Sequence, residues 1–240
     1  MAVQRNLPAT ANADSLATAT TPSRTGTYLE GYVLPLGGGD LFFGDEMSYF
    51  HACNATLGTA IAGHAAPVVA DADTKALLHI YNSGTKRIYP VYLHLEVTAA
   101  GTAGTAHYTT IYVDDKGSTA LSSGGTTITP VCVNAEGSNT TGAMITFGAA
   151  VTAMTSSRKV FQQVVRTVIP VVGDTLMIRF GSSGANFSSA LVTSGTAIAN
   201  VVQYAPPVVV GPGGNLNISQ IRPSQSAAAS YQFSFGYIER

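Results

Sequence analysis

The chain reads as an all-β protein, an antiparallel β-sandwich of jelly-roll-like kind behind an extended N-terminal arm, and three observations predict this. Short runs rich in Val, Ile, Thr, Tyr and Phe recur along the sequence, separated by Gly, Ser, Asn, Asp and Pro. Where a period is legible it is two, as in Val91, Leu93, Leu95 and Val97, the pattern of a half-buried strand. No helical stripe is sustained, and the connections are too short for the helical crossovers that a parallel sheet needs.

In chain order, residues 1–26 are Ala, Thr, Asn and Ser with Pro8 and Pro22, and show neither period. They predict an extended arm that orders on a neighbouring subunit, and the sandwich body spans 27–240. Two apolar pieces at 27–36 and 41–43 flank a turn at Gly37, Gly38 and Gly39. Residues 45–57 are the best helical candidate, because Asp45 and Glu46 at the start suit a helix dipole. Strands are predicted at 77–81, 88–97 and 107–113, the last closed by a tight turn over 114–117. Further strands follow at 126–134, 143–147, 160–169, 175–180, 197–204, 216–221 and 231–238. The Ala/Thr/Gly/Ser stretches at 98–106 and 117–127 read as polar loops.

Composition narrows the function. Charged residues are 10% of the chain and hydrophobic residues 45%, so a neutral surface must cover much of the body, and a good part of it is expected to lie against other protein. The formal net charge of -1 offers no field to gather nucleic acid or an anionic membrane. No signal-type start and no apolar run of about 18 residues occurs, which leads to the expectation of a chain made in the cytoplasm and soluble there. Cys53 and Cys132 are too few for a disulfide framework, and Cys132 between Val131 and Val133 reads as a small buried thiol in a strand.

His51, His64, His79, His94 and His107 have no HxxxH or HxH spacing; His79, His94 and His107 could meet only across strands. Ser182 and Ser183 sit in Gly-Ser-Ser-Gly, which is not a nucleophile elbow. The glycines at 37–39 and 211–214 lack the lysine and helix of a phosphate cradle. Asp71, Asp73, Asp114 and Asp115 are too few oxygens for calcium, and the sequons at Asn54, Asn139, Asn186 and Asn217 carry no weight without export. No residue is assigned to catalysis, to a cofactor or to a metal.

The C-terminal stretch is more specific. Pro206 to Val210 predicts an apolar strand, Gly211-Pro212-Gly213-Gly214 a turn, and 215–218 a second strand. A small-residue segment, Pro-Ser-Gln-Ser-Ala-Ala-Ala at 223–229, leads into a last strand in which Tyr231, Phe233, Phe235 and Tyr237 share one face, ending in Glu239-Arg240. Over residues 206–240 this resembles the C-terminal ends of virion structural proteins of tailed bacteriophages. The resemblance implies a β-sandwich module on a phage particle, and the expectation is a non-enzymatic capsid cement or decoration protein. It would work as a homotrimer on the major capsid protein or other virion proteins, without cofactor, nucleic acid or membrane. The runner-up is a tail or fibre module touching a host glycan or protein through Tyr28, Tyr32, Phe187 or Tyr204; third is a glycan-cleaving enzyme using Glu96, Asp114 or Asp115.

Overall fold

The computed structural model describes residues 47–54, 61–62, 70–102, 107–114, 121–135, 139–151, 156–166, 170–181, 198, 200–223 and 225–240, all within the unit Phe43–Arg240. The predicted arm, the 27–43 pieces and the turn residues Asp115, Lys116 and Gly117 lie outside them. Among the described residues fourteen strands run in order: β1 Tyr49–Cys53, β2 Ile61–Ala62, β3 Lys75–Asn82, β4 Ile88–Ala99, β5 His107–Asp114, β6 Leu121–Ser123, β7 Thr126–Ile128, β8 Val131–Cys132, β9 Ala143–Val151, β10 Arg158–Arg166, β11 Thr175–Phe180, β12 Asn200–Ala205, β13 Asn215–Ile221 and β14 Ser230–Glu239. Among the described residues there is no helix.

Two sheets of seven strands form the sandwich. Sheet I has the order β12-β11-β4-β14-β1-β8 with β2 on β14, and sheet II the order β10-β5-β13-β3-β9-β6 with β7 on β9. The chain passes repeatedly from one sheet to the other. One core lies between them. Leu93, Leu95, Ile178 and Phe235 of sheet I meet Leu78, Ile80, Ile111, Ile145, Leu216 and Ile218 of sheet II, each at most 1% exposed. Phe147 of β9 stacks on Phe233 of β14 at 4.8 Å and meets Tyr231 edge-on at 6.2 Å. Such pairs add about 0.5–1.5 kcal/mol each to the area they bury.

The last strand is central to sheet I, between β4 and β1. Tyr231, Phe233, Phe235 and Tyr237 all face inward as their alternation predicts, at 4% exposure or less. The buried hydroxyls find partners: Tyr237 donates to Thr141 Oγ1 at 2.8 Å, and the Tyr231 oxygen accepts from Arg222 at 2.5 Å. Paired backbone bonds between Arg87 and Arg240, at 2.6 and 2.9 Å, hold the end of the strand.

Several expectations are corrected. Where residues 45–57 suggested a helix, Tyr49–Cys53 is a strand, with Phe50 and Ala52 turned into the core. Tyr and Phe favour a pleated surface, a helix of that length is marginal alone, and pairing with β14 decides the outcome. The single strand expected at 126–134 is two, β7 in sheet II and β8 in sheet I, because Pro130 lacks an N–H for a continuous ladder. Residues 206–210 make one bridge, Val210 to Ile88, instead of a strand, since Pro206 and Pro207 cannot donate. The polar loop read at 117–127 contains β6 and the first residues of β7, both paired with β9. One pair, β11 with β12, is parallel; residues 181–199 between them are long enough to return the chain to the same end. A bulge where Gly236 faces Tyr92 and Tyr237 faces Pro90 takes Val91 out of the alternation.

Candidate functional site

The two sheets each turn a second face away from the core, and the faces differ. On sheet I, register aligns three rungs of outward side chains. Cys53, Ser234, His94, Met177 and Val202 form one; His51, Gly236, Tyr92, Arg179 and Tyr204 the next; Gln232, Glu96, Thr175 and Asn200 the third. Apart from Gly236 these residues are half-buried or exposed, and across the rungs only Glu96 and Arg179 carry a formal charge.

Local bonds hold the face in shape. His51 Nε2 and Ser234 Oγ lie 2.7 Å apart, and the Tyr92 hydroxyl is 3.1 Å from the same oxygen. Thr175 Oγ1 donates to Asn200 Oδ1 at 2.6 Å. Glycine is required at 236 because a Cβ there would stand 2.5 Å from both the Tyr49 hydroxyl and the Tyr92 ring, which close over the strand. Burial lowers the pKa of His51 below its ordinary value and so favours the neutral ring. Ser234 and His51 thus have the spacing of a nucleophile and its base, but among the described residues no carboxylate hydrogen-bonds the ring, and the pair acts as a cross-strand tie.

Sheet II turns outward a rung of Thr127, Thr146, His79, Asn217, Tyr112 and Lys159. Its centre is covered. His79, Asn215, Asn217, Ser219 and Thr110 are at most 3% exposed. The segment before β3 crosses them: Asn217 Nδ2 donates to the Asp73 carbonyl at 2.6 Å, Ser219 Oγ to the Lys75 carbonyl, and Tyr112 and Lys159 both to the Asp71 carboxylate. Burial alone would raise the Asp71 pKa, but the bonds from Lys159 and Tyr112 and the Lys159 charge outweigh it and hold the carboxyl below its usual range. Burial first, then the Asp71 bond and charge, push the Tyr112 phenol up.

Comparison with protein families, curated proteins and solved structures finds no match.

The histidines singled out in the sequence are dispersed. His79 lies under the cover of sheet II, 3.2 Å from Asn215 Oδ1, His94 on the outer face of sheet I, and His107 between the sheets against Gln220. Among the described residues no three His, Cys, Asp or Glu are grouped to hold a metal. Glu96 belongs to sheet I and Asp114 to sheet II, where Asp114 Oδ1 accepts the Ser156 N–H at 3.2 Å, so the two carboxylates do not converge. Cys53 is exposed and Cys132 half-buried, and both are unpaired. Asn217 is fully buried, while Asn54 ties β14 through the Phe233 N–H at 2.7 Å. Of the loop aromatics, Tyr204 lies on the open face of sheet I; Tyr28, Tyr32 and Phe187, with His64, Asp115, Ser182, Ser183 and Asn186, fall outside the described residues. The open face itself was missed, although the positions alternating with Leu93 and Leu95 signal it.

Proposed function

We propose that this chain is a non-enzymatic structural protein of a bacteriophage particle, a cement or decoration protein that binds and stabilises the head shell as a homotrimer. The observation that carries the proposal is the outer face of sheet I: a sheet surface, half-buried to exposed and crossed by no described segment, of mixed Tyr, His, Met, Val and Ser with two formal charges, on a chain only 10% charged. A large neutral face of this kind loses little on desolvation, because few ions must be stripped of water. Further exposed apolar side chains, Val131, Val172, Ile198 and Val209, each more than half exposed, extend the material for protein contacts. Symmetry then multiplies one modest contact over the shell.

A tail or fibre module that grips a host glycan is the second reading, favoured by one rung in which Tyr92 and Tyr204 flank Arg179. Copy number in purified particles of the encoding virus separates the two. Hundreds of copies per particle fit the cement protein, a handful fit the tail or fibre module, and absence from the particle refutes both.

A further inference from the structure

The two formal charges on the open face of sheet I are set apart by its register. Arg179 stands opposite Tyr92, and Glu96 opposite Thr175, four residues away along β11. At roughly 3.3 Å per residue the two side chains are rooted about 13 Å apart. That exceeds the Debye length of about 8 Å at physiological ionic strength, so neither ion neutralises the other. Among the described residues neither has a salt bridge, and Arg179 Nε meets only the Met177 sulfur, at 3.5 Å.

Arg179 is exposed and lies between Tyr92 and Tyr204 on its rung. Neighbouring strands are roughly 4.8 Å apart, which brings both phenol rings within reach of the guanidinium. The Tyr92 hydroxyl, 3.1 Å from Ser234 Oγ, holds its ring in place before anything binds. A planar fork beside aromatic rings is suited to grip a carboxylate with two N–H bonds. Glu96 is half-buried on a rung whose other members, Gln232, Thr175 and Asn200, are neutral. A neutral surface laid over this face would strip water from both ions and return no partner to either.

We infer, resting on the docking role proposed above, that the surface of the shell protein that meets sheet I carries an acidic side chain over Arg179 and a basic one over Glu96, about 13 Å apart. These two contacts set the orientation in which the chain docks. The neutral side chains around them supply contact area, and the charges supply the choice of partner.

Binding of the full chain to purified shells that lack it tests this. Arg179→Glu and Glu96→Arg should each weaken binding at least about thirtyfold, because each sets like charges opposite one another. Thr127→Glu, an added charge on the outward rung of sheet II, should leave binding unchanged. All three variants should melt with the wild type, since none of these positions holds an ion pair. Full-strength binding by either reversed variant overturns the inference and leaves the docking role standing, whereas failure of the wild-type chain to bind shells overturns both. Arg179-dependent binding to host-cell envelopes, with none to shells, would assign the face to the glycan reading and overturn the inference as well.

Discussion

The outer faces of the two sheets are built from similar side chains and live in different solvents. His51, Tyr92 and Ser234 on sheet I keep contact with water, while His79, Tyr112 and Ser219 on sheet II are shut beneath the chain around Asp71 to Lys75. Polarity of a side chain does not set its exposure. What sets it is whether another stretch of chain supplies backbone carbonyls and carboxylates to satisfy the polar groups, so that burial costs little.

The largest effect available on sheet I belongs to its inner side. Phe233→Ala removes a ring stacked on Phe147 and should cost about 3–5 kcal/mol, read from denaturant unfolding. A loss below about 1 kcal/mol would mean that the two sheets are not packed through this pair.

Between the outer faces, the contrast is predicted to be smaller but clear. Asn217→Ala leaves the Asp73 carbonyl without its donor under the cover and should cost about 1–3 kcal/mol. Ser234→Ala, where water replaces the bonds from His51 and Tyr92, should stay within about 0.5 kcal/mol. Equal costs would erase the distinction between a covered and an open face.

Acidity sharpens the same comparison. Burial lowers the pKa of His79, and the weaker effect of its bond to Asn215 raises it. The unfolded chain therefore binds a proton more readily than the folded one, and the stability linked to His79 is present above the unfolded value near 6.5 and falls as pH drops through the folded value. His51 shifts the same way but is only partly buried. Unfolding titrations from pH 7 to pH 5 should lose stability, and His79→Gln should flatten the curve more than His51→Gln. Asp71, whose pKa is lowered, adds its loss only further into acid.

The core was legible in the sequence wherever one side of a strand is apolar and the other not, as for Tyr231, Phe233, Phe235 and Tyr237 or for Leu93 and Leu95. The cover on sheet II was not. Asn215, Asn217 and Ser219 alternate with Leu216 and Ile218, a pattern that reads as one wet face, and all of them are buried. Nothing local tells that residues near 71–75 will lie over them. The strand at Tyr49–Cys53 was hidden for a related reason: its ladder is with β14 at the far end of the chain. Pro130, by contrast, was a local sign that 126–134 must break.

On the proposed function, sheet I offers the docking face and sheet II does not. Cys53 reports on it directly, being exposed on the rung with Ser234 and His94. In a Cys132→Ser chain, alkylation of Cys53 should be fast in the free protein and suppressed at least about tenfold in assembled particles, an interface protecting its members by some 1.4 kcal/mol or more. Equal alkylation in both states would contradict the claim.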